Sequence, residues 1–265
     1  MNPKSPEARK QEENPFGGLK ISDSDVLLSL KSRNPCPRCY KSRMYFCYTC
    51  YVPVSTLEGR IPFCDLPIKV DIIKHKREID GKSTSAHAAV LAPKHVNIFT
   101  YPNIPQYDED ERVVLLYPGT DACTVPELFT GKHEKQSYSD HLLAELPHGY
   151  NVGTLMKKIF NNNQNRVSHF WRHQKGSPRW YLSTIEALHQ FLLELHICAW
   201  GCDKNYVSEL TQEYSVHKDE NHSQCKPYNG QYDELLYFFK FMYEKLHRLY
   251  DHENLLAYKR PMEVK

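Results

Sequence analysis

Four cysteines carry the sharpest chemical signal in this 265-residue chain: Cys36-Pro-Arg-Cys39 and Cys47-Tyr-Thr-Cys50, with seven residues between the pairs. Two C-x-x-C turns at this spacing bring four thiolates to one tetrahedral ion, and each two-residue gap lets backbone amides face the sulfurs. The expected ion is Zn2+, held by Cys36, Cys39, Cys47 and Cys50. A closed four-sulfur site leaves no open coordination position, so its role is structural. A thioredoxin-like redox role would need only one pair beside a βαβ unit. The total of nine cysteines is odd and the other five are scattered, which predicts a reducing compartment rather than a disulfide ladder.

The second chemical signal is local positive charge. Thirty-four Lys and Arg against thirty-two Asp and Glu leave +2, too balanced for bulk charge to indicate a nucleic-acid binder. The segment from Lys31 to Cys50 nevertheless has no acid, and it interleaves Lys31, Arg33, Arg38, Lys41 and Arg43 with Tyr40, Tyr45, Phe46 and Tyr48. That mixture suits phosphate contacts with base stacking, and equally a solvated rim. Lys74-His75-Lys76-Arg77 follows an expected strand; an ordinary surface loop reads the same way. Residues 157–180 also lack any acid while holding Lys157, Lys158, Arg166, Arg172, Lys175 and Arg179 beside His169, Phe170, Trp171, His173 and Trp180. The candidate RNA-contacting residues are therefore Arg33, Lys41, Arg43, Lys74, Lys76, Arg77, Arg172 and Lys175.

The elements that must position these groups are α/β in pattern. Residues 1–17 are polar, contain Pro3, Pro6 and Pro15, and read as a disordered tail. Residues 22–32 predict a short helix leading into a cysteine module over 18–55. Residues 67–75 alternate Ile68, Val70 and Ile72 with Lys69 and Asp71, the period of a half-exposed strand. Residues 88–92 and 96–101 read as two further extended pieces. The acidic run 108–111 is a solvated loop, and the apolar 113–116 after it, closed by Pro118-Gly119, predicts a strand buried on both faces. A helix is predicted over 183–200, with Ile185, Leu188, Leu192 and Leu195 on one face and Gly201 past its end. Residues 201–230 read as a flexible insertion in a main domain over 56–255, and 232–250 resume helical spacing. Mean hydropathy is −0.63 and the apolar runs are only a few residues long, so no membrane span is expected. The polar N-terminal stretch gives no expectation of a secretory signal.

Four segments in order, CPRCYKSRMYFCYTC, DGKSTSAHAAVLAPKHVNIFTYP, VVLLYPGTDA, and FWRHQKG followed by LSTIEAL, resemble the DTW-domain family, in particular its animal type 1 tRNA-uridine aminocarboxypropyltransferases. The resemblance implies a SPOUT-like, deeply knotted α/β domain behind the zinc-knuckle module, with S-adenosylmethionine bound in the knot. It implies transfer of the 3-amino-3-carboxypropyl group to N3 of a uridine in the tRNA D-arm, with tRNA as partner and the nucleus as location. On the same analogy Tyr117, Pro118, Gly119, Trp171, Arg172, Ser183, Thr184 and Glu186 line the cofactor. Read as residues alone, Pro118-Gly119 is an ordinary turn and Ser183-x-x-Glu186 a helix capping box.

One family feature is absent. The tripeptide Asp-Thr-Trp, for which the family is named, does not occur; the chain passes from Lys158 through 159–169 directly to Phe170-Trp171-Arg172, as though a strand, the motif loop and a helix had been removed. The expected sheet is thus incomplete and the family's catalytic Asp unassigned. Three readings stay open: the transferase, a catalytically impaired zinc-containing RNA-binding pseudoenzyme, and a methyltransferase of similar fold.

Overall fold

The computed structural model describes residues 14–107, 113–116, 124–129, 168–171, 181–206, 208, 211 and 226–249. Two antiparallel pairs open the fold, β1 (Asn34–Pro35) with β2 (Ser42–Arg43) and β3 (Phe46–Cys47) with β4 (Val52–Pro53). They follow a one-turn helix, α1 (Asp25–Leu28). The main body holds a parallel pair, β5 (Val70–Lys74) and β6 (Val96–Thr100), in register Val70↔Val96 to Lys74↔Thr100. Parallel strands need a crossover, and here it contains α2 (Ser85–Leu91). Helices α3 (Val125–Phe129), α4 (Thr184–Trp200) and α5 (Tyr237–Leu249) complete the described architecture. The fold is mixed α/β with small sheets.

Two apolar clusters share α2. Ala88, Ala89 and Ala92 join Val96, Val125, Ile185, Leu188, Leu192, Leu235 and Phe239 in the first. Val90 and Leu91 join Leu27, Tyr45, Val54, Leu57, Tyr237, Phe238 and Phe241 in the second. The cysteine module therefore packs onto α2 and α5 through Tyr45 and Val54, and Leu57, just past its expected end, joins the same cluster, so packing does not break near residue 55. Helix α4 behaves as its spacing predicts: Ile185, Leu188 and Leu192 are buried, and Gly201 ends it at φ +79°.

Three expectations are corrected. Residues 88–92 are not an extended piece: 88–91 belong to α2, whose seven residues are all buried, and Ala92 is its C-cap. A helix surrounded by core shows no polar face, so period gives no signal, and the Ala-rich composition favours helix. Residues 113–116 form no strand, Val114 is 50% exposed, and only Leu116 reaches the first cluster. Among the described residues no strand pairs with this segment, and an unpaired backbone stays where water can reach it. The tail does not extend to residue 17, because Phe16 is buried against Phe239 and Tyr243; residues 1–13 lie outside the described residues.

The 201–230 segment is tied at its ends. Cys202 bridges to Tyr228, Asp203 N–H donates to Tyr228 O at 2.8 Å, and Tyr206 and Tyr228 are both buried. Most of 207–225 lies outside the described residues. Among the described residues no helix is long and apolar enough to cross a membrane.

Candidate functional site

The β1–β2 and β3–β4 pairs each present one C-x-x-C turn. Within the first, the amides of Arg38 and Cys39 donate to Cys36 Sγ at 3.4 and 3.5 Å; within the second, Cys50 N–H donates to Cys47 Sγ at 3.4 Å. All four sulfurs lie within 4.8 Å of one another, and Cys39 and Cys47 Sγ are 3.6 Å apart. An ion about 2.3 Å from four tetrahedral sulfurs would space them about 3.8 Å. The donor set fits one thiophilic ion.

Arg43 completes this cluster instead of facing RNA, which corrects its reading as a nucleic-acid contact. Its side chain is 6% exposed, with Nε donating to Cys47 Sγ at 3.4 Å and Nη2 to Thr49 Oγ1 at 3.2 Å. Nη1 donates to Ser42 O at 3.1 Å, and the guanidinium lies 3.9 Å from the Tyr48 ring centre. Burial alone would raise the Cys47 thiol, but the amides of Thr49 and Cys50 and the Arg43 side chain outweigh it and bring the pKa down to about 6. A cation is turned inward because buried sulfur charge must be met.

Lys74 is corrected for a similar reason: it is 8% exposed and paired with Asp80. Arg33, Lys41, Lys76 and Arg77 are exposed, as a nucleic-acid surface requires. Arg172 and Lys175 lie outside the described residues.

The residues expected around a cofactor gather at the start of α4. Glu186 closes its half of a capping box on the first turn, Ser183 N–H donating to Glu186 Oε2 at 2.7 Å, while Ser183 Oγ is buried without a hydrogen-bond partner. The same carboxylate accepts Ser168 Oγ–H at 2.7 Å and His169 N–H at 2.7 Å. Glu186 thus pins segment 168–171 to α4, and Thr84 Oγ1 accepts Ile185 N–H at 3.2 Å from the crossover. Thr184 and Ser183 are half-buried. Trp171 packs on Phe170 and Phe239 at ring distances of 4.7 and 5.4 Å, and its indole Nε1 is buried with no hydrogen-bond partner. Tyr117, Pro118 and Gly119 lie outside the described residues. Their flanks do not: Leu116 and Val125 both rest on the cluster that holds Ile185 and Leu188 of α4.

Sequence reasoning missed one buried polar centre. Asp233, fully buried, accepts His189 Nε2 at 2.9 Å and Tyr228 OH at 2.8 Å on Oδ1, and Tyr206 OH at 2.6 Å and Lys20 N–H at 2.7 Å on Oδ2. Burial would raise its pKa, yet the hydrogen bond and charge of His189, with the Tyr206 hydroxyl and Lys20 amide, hold it below the ordinary carboxylate value. Gly230 sits at φ +97°, where an added Cβ would stand 2.8 Å from Asp233 Oδ2. No spacing motif announces this centre, because its donors come from residues 20, 189, 206 and 228. The buried His87 was missed too; it lies between Phe46 and Phe238, and burial pulls its pKa to about 3.

Fold and site together define a mixed α/β protein with a four-cysteine module packed onto its body and a capped helix gathering the second group of candidate residues. The DTW domain matches residues 44–160 and 153–247, so the chain belongs to the DTW-domain family. It is 34% identical over 277 residues to the Xenopus tropicalis tRNA-uridine aminocarboxypropyltransferase 1, covering 88% of this chain and 86% of that one. The Rattus norvegicus protein of the same name is 35% identical over 277 residues (87% and 83%), and the Homo sapiens one 34% over 278 (88% and 84%). These aligned lengths exceed the 265 residues of this chain, so part of each relative has no counterpart here. The two matched family segments meet at 153–160, just ahead of the place where the Asp-Thr-Trp block is absent. No solved structure matches the chain.

Proposed function

We infer that this chain is a tRNA-uridine aminocarboxypropyltransferase, moving the 3-amino-3-carboxypropyl group of S-adenosylmethionine to N3 of a uridine in the tRNA D-arm. The observation that carries this reading is the 34–35% identity, over 83–86% of each relative, to proteins of that name. The family resemblance adds the SPOUT-like knot.

The cysteine cluster fits structural Zn2+, by its donor set and its sulfur-facing amides. Cys36, Cys39, Cys47 and Cys50 would hold it, away from the reaction. For the cofactor, the group around α4 offers two buried polar atoms without a partner, Trp171 Nε1 and Ser183 Oγ, while Glu186 is already taken by three donors. Trp171, Ser183 and Thr184 are the described residues that would contact the cofactor, joined by Tyr117, Pro118, Gly119 and Arg172; Glu186 holds their scaffold. Bound S-adenosylmethionine supplies a γ-carbon activated by the adjacent sulfonium. The protein's own work is positional: α4 fixes segment 168–171, and the apolar packing of Phe170, Trp171 and Phe239 excludes water. Arg33, Lys41, Lys76 and Arg77, with Arg172 and Lys175, would meet tRNA phosphates.

The absence of Asp-Thr-Trp favours a second reading, a pseudoenzyme that keeps zinc and RNA docking without turnover. Incubation with tRNA and S-adenosylmethionine separates the two. Release of methylthioadenosine with a modified uridine is expected; S-adenosylhomocysteine would identify a methyltransferase instead, and neither product would leave the pseudoenzyme.

A further inference from the structure

The two cysteine turns repeat one backbone design and differ in what they do with its last residue. Tyr40 N–H donates to Cys36 O at 3.0 Å, and Tyr51 N–H to Cys47 O at 2.8 Å. Both tyrosines are left-handed, at φ +58° and +54°. That backbone disfavours any residue with a Cβ, and glycine or asparagine takes it most readily. At Tyr51 packing offsets the strain, because its half-buried side chain rests on both apolar clusters. Tyr40 has no such offset: it is 80% exposed and makes no ring or cation contact among the described residues. Strain kept without packing to justify it points to use.

The surroundings of Tyr40 state which use. Arg38 and Lys41 flank it, both exposed, and Arg33 is exposed with its guanidinium fixed on Ser42 O at 2.7 Å and Ser42 Oγ at 3.1 Å. No acid lies between Lys31 and Cys50; Lys31 is a further exposed cation, and only Arg43 is turned inward, onto Cys47. An exposed ring set in sequence among exposed cations matches an unpaired base between two phosphates; a protein partner would call for apolar neighbours beside it.

We propose that Tyr40 is a stacking platform for an unpaired base of the RNA substrate, with Arg33, Arg38 and Lys41 on the flanking phosphates. This rests on the RNA-substrate reading above and adds the single-stranded contact that would orient the RNA on the metal module. Tyr40→Asn tests it, since asparagine accepts the left-handed backbone and removes only the ring. The expected result is a fall of about tenfold in affinity for an unmodified tRNA transcript, with metal content, melting temperature and the salt dependence of binding unchanged. Tyr40→Phe retains affinity. Arg38→Gln and Lys41→Gln each flatten the dependence of log affinity on log salt by about one. In Tyr40→Trp, tRNA quenches emission beyond that seen with the unsubstituted chain. Undiminished binding by Tyr40→Asn overturns the assignment, and so does loss of metal or of thermal stability in that variant, which would make the ring structural. If the unsubstituted chain itself fails to bind tRNA, the substrate reading falls, and this assignment with it.

Discussion

A single cation shows how far residue type can mislead about residue role. Arg43 sits in an acid-free segment among exposed lysines and arginines, yet its guanidinium is buried between Cys47 Sγ, Thr49 Oγ1 and the Tyr48 ring. The cysteines themselves were legible because metal-ligand geometry is local: two residues between thiols suffice to aim both at one point. Arg43 was not, because whether it turns in or out depends on where the β1–β2 pair places Ser42 O. The expected outcome of Arg43→Gln is a loss of about 10–100-fold in zinc affinity, measured by chelator competition, with the salt dependence of tRNA binding unaltered. Cys36→Ser and Cys47→Ser should lose the metal outright; zinc retained at full stoichiometry in either would refute the four-sulfur site.

Elements were legible in proportion to how unequal their two faces are. Helix α4 has a capping-box sequence and apolar residues at three- and four-residue intervals, and it runs where that pattern places it. Helix α2 is covered on all sides by both clusters, so its sequence carries no contrast to read. The apolar run 113–116 suffers the reverse error: it reads as core, but a strand is made by its neighbours, and none of the described strands pairs with it. At the start of α4 a single carboxylate joins the helix to segment 168–171. Glu186→Ala is expected to cost about 1–3 kcal/mol in urea unfolding, since it removes a helix cap and leaves three partly buried donors unmet. It should also weaken S-adenosylmethionine binding in isothermal titration, by releasing Trp171. Glu186→Gln keeps an acceptor oxygen and should recover part of both; equal losses in the two variants would deny the carboxylate its positioning role.

Over the whole molecule, the sequence shows the order of the parts but not what joins them. Asp233 collects donors from the N-terminal segment, α4 and both ends of the 201–230 segment, and Ser22 N–H adds a contact to Glu234 at 3.1 Å. Contacts separated by more than two hundred positions leave no trace in local spacing. The cysteine module is joined just as closely. Its Tyr45 and Val54, with Leu57 just past its end, share one apolar cluster with Leu91 of the crossover and Phe238 of the last helix, and Lys245 reaches back to the Tyr45 hydroxyl at 2.6 Å. On the zinc reading, stripping the ion would therefore loosen the floor beneath α2, and with it the wall on which α4 leans. A chelator should act on this chain as a denaturant of the entire body, giving one calorimetric transition at lower temperature. Two separate transitions would mean that the knuckles melt alone. If zinc fills the cluster as proposed, its supply would set how much folded protein a cell can keep, whatever the chemistry done elsewhere on the chain.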